Sequence, residues 1–213
     1  MGAALGHNLV TDDLVIALDD KNPRCKSTAA QTTWDNELTK TYNMTSGLYF
    51  ANSDLGTDFD GVDNITYCTT FYIHSHHTSY SHSPMFKYGG TADAFLRLYD
   101  FGNTDTLGYL LNGGGVWKGL GSYYANTTVG TYLNYSLQYD AVSGAQTWAN
   151  GVKYGSATAT PGTIATNTDP FYFYPTSTGG VYAKIASVYV YLRTLTDAEM
   201  IQNFNATRGI YGL

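Results

Sequence analysis

The strongest constraint on this chain is punctuation. From Leu14 to Leu192, short runs rich in Tyr, Thr, Val and Phe are broken again and again by Gly, Asn or Asp. The sharpest break is Asn150-Gly151, set between "AQTWA" and "VKYGS". Asn-Gly favours a type I′ turn, whose positive φ values match the twist of two paired strands. A second break at Asp140–Gly144 encloses another hairpin, so "YLNYSLQYDAVSGAQTWANGVKYG" predicts three consecutive antiparallel strands. Glycines number 23 and tyrosines 20, which is sheet-and-turn chemistry.

The same reading runs along the whole chain. "LVIALD" predicts a strand with Leu14, Ile16 and Leu18 on one face, closed off by Asn22-Pro23. Ser27–Gly47 is a polar connection anchored by Trp34. Leu48–His76 predicts three short strands, broken at Asn52–Gly56 and Asp60–Gly61. "MFKYGG" and "FLRLYDFGN" are two more, with turns at Gly89–Gly90 and Gly102–Asn103. The glycine-rich "GGGVWKGLG" predicts a flexible loop at a sheet edge. "FYFYP" and "KIASVYVYLRTL" close the series, the latter with an aliphatic face (Val188, Val190, Leu192) and an aromatic one (Tyr189, Tyr191). Strands at this spacing predict an antiparallel sandwich or barrel.

Only the end reads as a helix. Thr196 and Glu199 form a capping box, Asp197 and Arg208 suit the helix dipole, and Gly209 is a natural stop. A helix of about ten to twelve residues is expected, packing a stripe of Met200, Ile201 and Phe204. No linker divides the chain. One domain, residues 13–213, is expected, preceded by a loose N-terminal arm of residues 1–12.

Composition excludes several classes of function. With 43% hydrophobic and 13% charged residues, the chain is not an acidic disordered tract. Its formal net charge is −6 and it has no basic run, so nucleic acid is not expected as a partner. The apolar run Leu14–Leu18 is far too short to insert in a membrane. The N-terminal residues show no secretory pattern, which implies synthesis in a cytosol. The cysteines, Cys25 and Cys68, are too few for a disulfide framework and are read as free or buried thiols.

Four stretches in order resemble one family. "DDLVIALDDKNPRC" with "TTWDN", then "TDFDGVDNITY", then "YSLQYDAVSGAQTWANGVKYGS", then "AKIASVYVYLRTLTDAEMIQNFNATRGIYGL" are similar to concanavalin A-like, laminin G-like jelly-roll domains. The resemblance spans Asp12 to Leu213. The implied fold is all-β, an antiparallel jelly-roll sandwich with one short C-terminal helix. Its closing "AEMIQNFNATRGIYGL" looks most like the form found in phage structural proteins. The resemblance implies a non-enzymatic virion protein made in a host cytoplasm. It would decorate the capsid or head surface, dock on the major coat protein as a homo-oligomer and contact cell-surface glycan. A carbohydrate-binding adhesin or lectin of a tail or vertex is the alternative, and a glycosidase the weakest reading.

The candidate sites follow from side-chain chemistry. Trp117, Tyr123 and Tyr124 could stack on sugars or fill a partner's pocket; packing in the sheets is the competing role. Asp58, Asp60, Asp63 and Asn64 offer hard oxygens around one turn, and many relatives bind calcium near such loops. Turn formation is the competing role, and no cofactor is required. His74 and His76 share a strand face at a spacing that could chelate a transition metal; a solvated loop is the alternative. The two glutamates, Glu37 and Glu199, do not supply the paired carboxylates of a glycosidase.

Overall fold

The computed structural model describes residues 9–19, 48–50, 63–75, 83–88, 96–100, 107–113, 116–124, 127–158, 171–173 and 182–213. They form strands β1 (Leu14–Asp19), β2 (Leu48–Phe50), β3 (Asn64–Ser75), β4 (Ser83–Tyr88), β5 (Leu96–Asp100) and β6 (Leu107–Gly113). Then come β7 (Val116–Tyr124), β8 (Tyr132–Asp140), β9 (Gly144–Ala149), β10 (Val152–Thr158), β11 (Phe171–Phe173), β12 (Tyr182–Tyr191) and helix α1 (Asp197–Tyr211). Trp34, Cys25 and the third strand expected between Leu48 and His76 lie outside the described residues.

Two antiparallel sheets of six strands result. The first has the order β1-β12-β3-β8-β9-β10 and the second β2-β11-β4-β5-β6-β7. The fold is the expected all-β sandwich closed by a C-terminal helix. The predicted hairpins are present: β8 pairs with β9, and β9 with β10. Asn150 (φ 47) and Gly151 (φ 74) are both left-handed, as a type I′ turn requires. At the other end, Asp140 Oδ1 accepts from the N–H groups of Val142 (2.9 Å) and Ser143 (2.6 Å). These bonds, the Ser143 N–H first, hold the Asp140 carboxyl below its usual range.

The sheets are tied by a reciprocal pair. Tyr109 of β6 and Tyr135 of β8 stack at 5.2 Å with planes 8° apart. The Tyr109 hydroxyl donates to the Tyr135 carbonyl at 3.1 Å, and the Tyr135 hydroxyl to the Leu107 carbonyl at 3.3 Å. Both side chains are fully buried, and burial pushes the Tyr109 hydroxyl far above its usual pKa, so it stays a donor.

The central strand β8 of the first sheet is buried on both faces. Every residue of β8 from Leu133 to Tyr139 is buried. Alternation turns Tyr135 toward the second sheet and Asn134, Ser136 and Gln138 toward α1. The aromatic side of β12, Tyr189 and Tyr191, packs with Cys68, Trp148, Leu195 and Met200 under the helix. Two-sided burial explains why β12 carries apolar residues at every position from Val188 to Tyr191. In β1 the register shifts between Leu14 and Ile16. Across this bulge Leu14 packs on the helix-side cluster together with Ala17, three residues on, so strict alternation does not hold along the strand.

The capping box forms as read. Thr196 N–H donates to Glu199 Oε2 at 2.8 Å, and Glu199 N–H donates to the Thr196 hydroxyl at 3.3 Å. The helix is longer than expected, 15 residues, and its left-handed cap is Gly212 (φ 71), not Gly209. Tyr211 is the reason. It is buried and donates to the Ala186 carbonyl at 3.1 Å, which holds one further turn against the sheet. The buried stripe also differs: it is Met200, Asn203, Thr207 and Tyr211, while Ile201 is 44% exposed. Two of those four residues, Asn203 and Thr207, are uncharged polar side chains, because the sheet face beneath presents Thr66, Thr70, Asn134, Ser136 and Gln138. No helix among the described residues is long and apolar enough to cross a membrane.

Of the expected arm, residues 1–8 lie outside the described residues. Leu9 packs against the helix-side cluster, and Val10 is a buried member of it.

Candidate functional site

Strand β7 carries the aromatic candidates. It is the outermost strand of the second sheet. It pairs with β6 from Val116, opposite Gly113, to Tyr124, opposite Leu107. The stretch expected to be a flexible loop is therefore a paired strand, since Val, Trp, Leu and Tyr favour the pleat enough to carry its glycines. Trp117 stands opposite Asn112 at one end. Tyr124 stands at the other end, with Tyr123 in the stretch where the register slips between Leu107 and Tyr109. Trp117 and Tyr124 stand seven positions apart on the strand, roughly 20 Å at the usual rise.

The oxygen-rich turn is committed to structure where it is described. Asn64 opens β3 opposite Asp140. With its amide turned so that the nitrogen faces the acceptors, Asn64 donates to Asp140 Oδ2 at 2.6 Å and to the Asp63 carbonyl at 3.2 Å. That carbonyl also accepts the Ala141 N–H at 2.7 Å. Asn64 and Asp140 thus lock one hairpin end to the next strand, and among the described residues the exposed Asp63 carboxylate is the remaining acceptor of that turn. Asp58 and Asp60 lie outside the described residues. His74 is the penultimate residue of β3, and His76 lies outside. Among the described residues, no three His, Cys, Asp or Glu side chains gather as metal ligands would.

Glu199 is equally committed. Its carboxylate receives Arg193 Nη1 at 2.9 Å and Nη2 at 2.6 Å, a bidentate pair. Arg193 first, with help from the Thr196 N–H, lowers its pKa to about 2. A carboxyl held so far down cannot protonate a leaving group near neutral pH.

A cavity lies under α1, lined by Cys68, Asn134, Ser136, Trp148, Asn203 and Thr207 among others. Its volume is about 10 Å³, room for one water and far too small for a sugar ring. Cys68 is a free, buried thiol whose pKa is pushed up to about 12 by burial. A thiol in that state is inert. The small space is a packing feature, and any ligand must be met outside it.

One further grip escaped the sequence reading. Asn203 and Tyr191 hold the backbone of Val10 between them. An Asn in mid-helix reads as a solvated residue, so nothing local announces this role.

No family model matches the sequence, and no curated protein matches it. Solved structures do match in fold. Domain 4 of AbnA, a GH43 extracellular arabinanase from Geobacillus stearothermophilus, solved with arabinotriose, superposes with a TM-score of 0.57 at 16% identity. The match covers 76% of this chain and 74% of that one. The binding domain of botulinum neurotoxin DC, solved in complex with SialylT, gives a TM-score of 0.56 at 9% identity, over 68% of this chain. The same domain in complex with rat synaptotagmin II gives 0.55 at 8%. This chain spans 36% of those neurotoxin chains. At such identities the likeness establishes the sandwich fold and nothing finer.

Proposed function

We propose that this chain is a non-enzymatic, carbohydrate-binding jelly-roll module that works at the surface of a phage particle. The observation that carries the glycan reading is the placement of Trp117, Tyr123 and Tyr124 along the outermost strand β7. Support comes from the fold it shares with a domain solved in complex with arabinotriose. Aromatic rings suit sugars because they offer a rigid apolar face to C–H groups at small entropic cost.

The module binds without turning over. Glu199 is locked by Arg193 and Thr196 and is not available as a general acid. The phage setting rests on the closing residues "AEMIQNFNATRGIYGL", which resemble those of phage structural proteins. In that setting the sandwich stands on the coat-protein lattice and meets cell-surface glycan.

The decisive experiment is a glycan array followed by calorimetry with the best oligosaccharide, on the wild type and on Trp117→Ala and Tyr124→Ala. Saturable binding, weakened at least tenfold (about 1.4 kcal/mol) in either variant with an unchanged unfolding midpoint, supports the reading. No saturable signal across a broad panel sinks it. The particle setting has its own test: this chain's copy number against coat protein in purified particles. Absence from particles removes that setting and leaves a lectin.

A further inference from the structure

The segment before β1 is gripped as a ligand would be. Residues Thr11 to Leu14 form a tight turn, closed by the Leu14 N–H donating to the Thr11 carbonyl at 3.2 Å. Its third residue, Asp13, has φ 59, a left-handed conformation that glycine takes freely and other residues take at a cost. Before the turn, Val10 lies in the cluster beneath α1, 8% exposed, with Cys68, Tyr189, Leu195 and Met200.

Three hydrogen bonds close a ring around it. The Val10 N–H donates to Asn203 Oδ1 at 2.9 Å. The Tyr191 hydroxyl donates to the Val10 carbonyl at 3.0 Å. The Asn203 amide nitrogen donates to the Tyr191 oxygen at 2.9 Å. One amide side chain from α1 and one phenol from β12 thus satisfy both backbone groups of a single residue, as a neighbouring strand would. Such a groove reads backbone and one branched apolar side chain. Nothing in those contacts distinguishes the chain's own segment from the same segment of another copy.

We infer that the groove between α1 and β12 accepts the Leu9–Asp12 strap of a second copy, so that crowded copies exchange straps and lock together. Every contact in the ring is kept in the exchange, since the incoming segment is identical. What changes is the hinge. The Thr11–Leu14 turn opens, and Asp13 is released from its left-handed conformation. Short hinges under strain favour exchange for that reason. In isolation the strap is tethered beside its own groove at a high effective concentration and stays at home. Close packing of copies supplies the competing concentration. This inference goes beyond glycan binding and stands or falls separately from it.

The test mixes full-length Val10→Cys chains with full-length Asn203→Cys chains at high concentration, unfolds and refolds them together, and oxidises. The double variant Val10→Cys/Asn203→Cys is the control for bond formation. A covalent heterodimer, with a disulfide between the two introduced thiols mapped by mass spectrometry, is the expected result. A control that closes within one chain beside a mixture that yields no heterodimer overturns the inference. Asp13→Pro, examined by light scattering across a concentration series, gives an independent readout should the thiols fail to pair. Proline cannot take φ 59 and holds the preceding residue extended, so the dimer dissociation constant should fall at least tenfold. A variant that stays monomeric wherever the wild type does also overturns the inference.

Discussion

Gly151→Ala tests how the central hairpin docks under the helix. A Cβ at this position would lie 2.3 Å from Cδ1 of Phe204, 2.7 Å from Cγ and 2.9 Å from Cε1. Carbon atoms rest at about 3.5–4.0 Å, so the ring must move. The backbone adds a second cost, because φ is +74 there and a Cβ in the left-handed region costs roughly 1–2 kcal/mol. Overpacking adds about 1–3 kcal/mol, for a total of about 2–5 kcal/mol. That is a large part of the roughly 5–15 kcal/mol that holds a domain together. Phe204→Ala removes the obstacle, so in that background Gly151→Ala should cost only its backbone part. Urea unfolding of the wild type, both single variants and the double variant, followed by tryptophan fluorescence, gives the coupling. Trp148, 3% exposed, is one indole beside the site that must become solvated on unfolding. A coupling of about 1–3 kcal/mol is expected. Additivity within about 0.5 kcal/mol would show that the ring does not rest on Gly151.

Glu199→Gln should destabilise by about 1 kcal/mol at pH 7, since the amide cannot accept Arg193 at both oxygens. The folded pKa of Glu199, about 2, lies below the ordinary value near 4.3. Its contribution is therefore complete above that ordinary value and is lost as pH falls through about 2. Wild type and variant should converge in thermal scans at that acid limit, and a gap unchanged down to pH 2 would refute the assignment. Cys68, with its pKa raised to about 12 by burial, should resist an aromatic disulfide reagent at pH 8 in a Cys25→Ser background. Labelling should follow unfolding when urea is added. Fast labelling of the native protein would contradict the burial.

The legible parts of this fold are those set by near neighbours in sequence. Asn150-Gly151 must turn because its backbone angles are decided locally. Thr196 and Glu199 cap a helix because the partners sit three residues apart. Gly209 misled because the true stop depends on Tyr211 reaching Ala186, 25 residues away. Ile201 was assigned to the buried stripe on polarity, yet Asn203 and Thr207 took those places because the sheet face opposite is polar. No window of helix sequence contains that fact. The candidate site was legible only as residue types: Trp117 and Tyr124 were identifiable as aromatics among glycines, but their separation along one edge strand needed the pairing of β6 with β7. Asn203, which holds Val10 across 193 residues, had no local signal at all.

The position of β12 has a consequence for how the molecule comes to be made. It lies between β1 and β3, so among the described strands β1 gains its neighbour only once β12 has been made. A nascent chain therefore spends most of its synthesis with a gap in the sheet and no helix over the outer face. That waiting face would show water Thr66, Thr70, Asn134, Ser136 and Gln138 around the apolar Cys68 and Trp148. Hydroxyls and amides tolerate the delay, whereas an apolar face would gather with other unfinished chains. Folding should be slow for the same topological reason, because β1 and β12 pair across a long stretch of sequence, Leu14 meeting Tyr191.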